Sequence, residues 1–278
     1  MYKRILVPVD GSRFSEAVMP YALGIARETG AKITVLRIVE KESEKAKAEK
    51  YIKGLAVRFG AEGRCVSSSG DVAEDILDEA QRIPETLITI TSHGRGDRLN
   101  LLMGSVARDV VRAGHFPVLV YHPSGNADEH LDPIVISTVL LPMDGTDLSE
   151  TMRAQAAGWA RALGARLLIV QVLPTNLRID SLLESFDALE DSYVRSQARD
   201  LQREYGVDAD WEVLHGDPVT SIVNYLEGRR DVLVVMATRG QATLQAAVLG
   251  SVTSGLLHHA ALPIIVQAPV KTQKQASA

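Results

Sequence analysis

The chain has a single cysteine, Cys65, in 278 residues. That count excludes an internal disulfide and a multi-cysteine zinc site. In a predicted strand the lone thiol reads as a small buried hydrophobe. Aromatics are scarce at 5%, too few for a stacking groove along single-stranded nucleic acid. Basic charge is not in excess: 30 Lys and Arg stand against 35 Asp and Glu, a net charge of −5. No nucleic-acid partner is expected from that balance. The lysine-rich stretch KESEKAKAEK at 41–50 alternates in sign and reads as the solvated start of a helix. Long apolar runs are missing as well. The first, Ile5-Leu6-Val7-Pro8-Val9, stops at Asp10, short of the roughly 7–15 residues of a secretory core and the roughly 20 of a membrane span. No membrane partner is expected, and a cytoplasmic location follows by default.

Several catalytic signatures are absent too. There is no GxxxxGK[ST], no GxSxG and no HExxH, which removes the Walker-type nucleotidases, serine hydrolases of the elbow type and zincins. Gly94-x-Gly96 meets Leu99 where the dinucleotide fingerprint needs its third glycine. His93 has Arg239 as its counterpart and reads as a polar loop residue. His258 and His259 fall late in a predicted helix, where imidazole suits the dipole.

What is present is a duplication. Residues 4–12 read RILVPVDGS and residues 138–146 read TVLLPMDGT, an offset of 134. GDVAEDIL at 70–77 returns as GDPVTSIV at 216–223, and Gly94, Gly104-Ser105-Val106 and Pro117 return as Gly240, Gly250-Ser251-Val252 and Pro263, all at an offset of 146. The second copy is therefore twelve residues longer after its second strand. Strands are predicted near 4–9, 32–39, 62–67, 86–91 and 117–121, and again near 138–143, 166–173, 209–214, 231–237 and 263–267. Runs such as ITVLRIV and VLVVMA are apolar on both faces, as in parallel strands covered by helices on each side. Ser15, Asp71 and Ser149 are candidate helix caps.

The expected fold is α/β: two tandem doubly wound domains, each a five-stranded parallel sheet flanked by helices, Rossmann-like in topology. We expect a first domain at 1–123, a linker at 124–136, a second domain at 137–270 and a polar tail at 271–278. The last strand of each copy, VLVY and IIVQ, is an apolar edge that would aggregate if left bare. The two copies should therefore meet there as an intramolecular pseudo-dimer, with further homodimer formation compatible.

Ligands of open parallel sheets bind beyond the carboxyl ends of the strands. Asp10 and Asp144 end the first strand of each copy; Gly94 and Gly104, like Gly240 and Gly250, stand ten apart after the fourth. Such a loop can curl over a polyphosphate and end on a helix N-terminus with free N–H donors. Ser105 and Ser251 can be N-caps or phosphate donors. Turn glycines and caps occur without ligands as well, and an Asx-turn is the plainer role for Asp10 and Asp144.

The DGS opening at 10–12, the Gly-x9-Gly-Ser loops and the closing HFPVLVY and ALPIIVQ together resemble the universal stress protein family, twice over, as in its tandem members and in folds like the adenine-nucleotide α-hydrolases. The family's nucleotide-binding form is similar to G-x2-G-x9-G-[ST]; here Thr91 and Ala237 stand at the first glycine. The resemblance implies a stress-response protein that binds ATP or a related adenine nucleotide, with Mg²⁺ on the nucleotide's own oxygens and at most slow hydrolysis. It implies that Asp10 with Ile38, and Asp144 with Val172, surround adenine and ribose. Gly94, Gly104 and Ser105, and Gly240, Gly250 and Ser251, would then hold the phosphates. No catalytic or metal-ligating residue is assigned. The alternative is a nucleotide-free interaction module with degenerate sites. Between the sites, β-branched Thr91 brings two extra heavy atoms toward the ligand and would resist left-handed backbone if the position needs it, which favours the second site, where Ala237 intrudes least.

Overall fold

The computed structural model describes residues 2–92, 103–123, 132–174, 180–238 and 249–268, with 180–191 described as backbone alone. The first copy runs β1 (Arg4–Pro8), α1 (Arg13–Glu16), α2 (Met19–Thr29), β2 (Lys32–Val39), α3 (Lys45–Phe59), β3 (Glu62–Ser67), α4 (Val72–Gln81), β4 (Thr86–Thr91), α5 (Ser105–Ala113) and β5 (Val118–Tyr121). The second repeats it as β6 (Thr138–Pro142), α6 (Asp147–Thr151), α7 (Arg153–Leu163), β7 (Arg166–Leu173), α8 (Asp180–Tyr205), β8 (Ala209–His215), α9 (Pro218–Tyr225), β9 (Val232–Ala237), α10 (Ser251–His259) and β10 (Pro263–Gln267). The extra length of the second copy goes into α8, 26 residues against 15 in α3.

The strands form one ten-stranded sheet in the order β3-β2-β1-β4-β5-β10-β9-β6-β7-β8. Pairing is parallel within each copy, and the copies join where β5 and β10 pair antiparallel, Tyr121 opposite Pro263 and Val118 opposite Val266. The apolar edges thus cover each other, and the two five-stranded sheets continue into one. In each copy the chain reverses its direction across the sheet between the first and fourth strands, β1 and β4 or β6 and β9. That is where an open sheet leaves a crevice.

Both faces are buried, which explains the continuous apolar runs. Ile5, Val7 and Val35 face a core with α2, α3, α7 and α8; Leu6, Leu36 and Ile88 face the opposite core with α4, α5, α9 and α10. Each core runs through both copies, and α2 packs on α7 across the junction.

Local signals were read correctly at Asp71, whose side chain caps α4 by accepting from the Ala73 and Glu74 amides. They were misread at Ser15 and Ser149. The caps are Ser12 and Thr146, three residues earlier, because each hydroxyl accepts from the amide of Ser15 or Ser149. Cys65 is only half-buried, because β3 is an outer strand of the sheet. His258 and His259 lie in the last turn of α10. No helix among the described residues is long and apolar enough to cross a membrane. The expected tail, most of the expected linker, and His93, Gly94, Arg239 and Gly240 lie outside the described residues.

Candidate functional site

Each copy opens a cleft at its switch point. In the first, β1 delivers Asp10 and the chain turns at once: Asp10 Oδ1 accepts from the Ser12 amide at 2.8 Å, and the Ser15 hydroxyl donates to the Ser12 carbonyl at 2.9 Å while accepting from the Asp10 amide at 3.1 Å. The second copy repeats the knot, with the Thr146 amide at 3.0 Å and its hydroxyl at 2.6 Å both donating to Asp144 Oδ1. Gly11 and Gly145 sit at φ +81° and +74°, left-handed backbone that favours glycine after the aspartate. The Asx-turn is therefore real, and it holds both carboxylates at the cleft mouths, since Asp10 lines one cleft and Asp144 the other. Burial pushes the Asp144 pKa up, but hydrogen bonds from Thr146 and Ser149 outweigh it and hold the carboxyl below its ordinary range.

A second fastening recurs in both copies. The Tyr51 hydroxyl on α3 donates to Glu16 Oε1 on α1 at 2.7 Å, and Tyr193 on α8 donates to Glu150 on α6 at 3.1 Å. Burial first, and the neighbouring carboxylate second, push both phenols up, Tyr193 to about 12. Sequence reasoning missed this latch. The acids share the 134 offset and were findable; the tyrosines stand at a different offset, displaced by the longer second copy.

At the opposite wall, Gly104 and Gly250 are the N-cap residues of α5 and α10 and make no side-chain cap. The N-cap role considered for Ser105 and Ser251 is thus corrected: each is the first helical residue, with its side chain exposed at the cleft. The Gly104 amide donates to the Ser92 carbonyl at 2.8 Å, and the buried Ser92 hydroxyl pairs with His122 Nδ1 at 2.7 Å. Neither Ser92 nor His122 stood out in the sequence, because thirty positions separate them and only the β4–β5 pairing brings them together. Ile38 lines the first cleft and Val172 the second.

The clefts differ. The first measures about 540 Å³ and carries Arg37, Glu40, Lys41 and Glu44 with Asp10. The second measures about 150 Å³. Thr91 and Ala237 differ in bulk, but neither needs left-handed backbone. Thr91 and Ala237 are the closing residues of β4 and β9, and Glu85 alone among the described non-glycine residues has a positive φ. No left-handed backbone exists there for a β-branched side chain to resist. Among the described residues no group of three His, Cys, Asp or Glu could hold a metal ion.

A doubly wound sheet with a crevice at the switch point of each half defines a tandem α/β protein. The family model described as the universal stress protein family matches residues 1–122 and again 136–267, and the chain belongs to that family. The universal stress protein Rv2005c of Mycobacterium tuberculosis is 25% identical over 292 residues, covering 94% of this chain and 96% of its own length. Universal stress protein MJ0531 of Methanocaldococcus jannaschii is 27% identical over 139 residues, covering 43% of this chain and 82% of its own length. The crystal structure of a universal stress protein from Archaeoglobus fulgidus has the same fold, with a TM-score of 0.72 at 19% identity over 97% of this chain and 100% of its own.

Proposed function

We propose that this chain binds ATP or a related adenine nucleotide in its first cleft and acts in a cytoplasmic stress response through the bound nucleotide rather than through rapid turnover. The observation that carries the reading is the size and lining of that cleft. About 540 Å³ at the switch point lies within the range of small-molecule sites, about 300–1,000 Å³. Asp10 stands where a carboxylate would accept from a ribose hydroxyl or base amine, beside the apolar wall of Ile38. Gly104 and Ser105 open α5, whose first-turn amides and positive dipole end suit phosphate oxygens. Arg37 and Lys41 stand at the rim beside Glu40 and Glu44. Gly94 belongs to the same proposed loop, and Mg²⁺ would arrive on the nucleotide's oxygens.

Heat-denaturing the purified protein and chromatographing the supernatant should release an adenine nucleotide. Calorimetric titration of ATP at physiological salt should then lose most binding with Gly104→Val, which puts a branched side chain into the first cleft, and little with Gly250→Val. No ATP binding to the wild type, or loss confined to Gly250→Val, would overturn the reading. Turnover above about one per second, within the common enzymatic range, would overturn the non-catalytic part.

A further inference from the structure

We propose that the second cleft is a separate site for a small, mostly apolar molecule of single-ring size carrying one hydrogen-bond donor. The inference does not depend on the nucleotide reading of the first cleft. The two clefts occupy the same topological place, yet duplication has left them with different walls. Val9, Val18 and Ile90 of the first copy correspond to Met143, Met152 and Met236, and all three methionines line the second cleft. Unbranched thioether side chains reach further than valine or isoleucine and fill irregular space, in keeping with the smaller volume of about 150 Å³.

Among the described lining residues the charge is reduced as well. Gln171 stands at the position of Arg37, and among the described residues lining the second cleft Asp144 is the one charged group. A nucleoside triphosphate, about thirty heavy atoms, needs a site of several hundred Å³. An aliphatic-walled cavity of about 150 Å³ holds one benzene-sized molecule. Asp144, kept ionised by Thr146 and Ser149, supplies an acceptor at the rim for one O–H or N–H. Methionine walls re-pack around ring-shaped ligands and make favourable sulfur–aromatic contacts.

The test uses full-length protein labelled with ¹³C at its methionine methyls, titrated with phenol and with indole. Saturable shifts are expected at Met143, Met152 and Met236, with Met103 beside Gly104 unmoved. Ala237→Leu, which fills the cleft, should weaken probe binding at least tenfold. Asp144→Asn, which keeps the shape and removes the charge, should weaken it severalfold and guards against a folding defect in the first variant. Shifts that stay linear to the highest probe concentration, or that survive Ala237→Leu, would overturn the proposal. So would ATP moving the same three methyls in competition with the probes. ATP leaving Met103 unmoved would instead count against the nucleotide reading alone.

Discussion

Gly24 sits in the middle of α2, buried, with the chain that enters the second copy lying across it. A Cβ at Gly24 would stand 1.8 Å from the Ile134 carbonyl oxygen and 2.8 Å from its carbon. The duplication supplies an internal control: Gly158 is its counterpart in α7, and a Cβ there meets nothing within 4 Å. Glycine to alanine in a helix interior gains about 1 kcal/mol from propensity, so Gly158→Ala should stabilise by about that much. At Gly24 the same gain is overwhelmed. The strand of backbone at Ile134 must retreat by about 1.5 Å to reach van der Waals separation. That movement breaks the hydrogen bond from the Ile134 amide to the Pro20 carbonyl, 3.0 Å long, at about 1 kcal/mol, and overpacking adds about 1–3 kcal/mol. Gly24→Ala should therefore be less stable than wild type by about 1–3 kcal/mol, and less stable than Gly158→Ala by about 2–4 kcal/mol. Urea unfolding of the three proteins, with hydrogen exchange at the Ile134 amide, measures both. Equal midpoints for the two variants, or an Ile134 amide as protected in Gly24→Ala as in wild type, would refute the reasoning.

Glu79, 3% exposed, joins Arg4 at 3.3 Å, Arg64 at 2.8 Å and Arg82 at 3.2 Å at the amino end of the first sheet half. Glu79→Leu leaves the buried Arg4 guanidinium without its carboxylate, holding only Thr86 Oγ1 and the backbone carbonyls of residues 79 and 80, and should cost about 3–5 kcal/mol in chemical unfolding; a loss below about 1 kcal/mol would class the cluster with ordinary surface pairs. Asp231 is held at about 2 by its hydrogen bond from Arg229, aided by Ser137 against the effect of burial. A carboxyl depressed in the fold contributes stability above its ordinary value and loses it as pH falls through the folded one. The stability gap between wild type and Asp231→Asn should be constant above about pH 5 and close between about pH 4 and 2; a gap that persists below pH 2 would contradict the assignment. Asp71→Ala removes the cap of α4 and should cost about 1 kcal/mol, read as a shift in the urea midpoint.

The sequence by itself determined the duplication, the strand–helix alternation and the place of Asp10 and Asp144 at strand ends. Those features are local: a two-sided apolar run, a DG[ST] turn and a repeat offset need no partner from elsewhere in the chain. Cap positions slipped by three residues at Ser15 and Ser149, because hydroxyls three apart in one turn compete and only backbone geometry selects the acceptor. What tertiary structure decided rests on residues remote in sequence. The antiparallel seam of β5 and β10 merges two sheets into one, and the Ser92–His122 pair and the Tyr51–Glu16 latch exist only once strands and helices are packed. The inequality of the clefts belongs to the same class. Three methionines and one lost arginine are visible as substitutions between the copies, but a volume is a property of the space that packed side chains leave between them, and no pairwise reading of the chain supplies it.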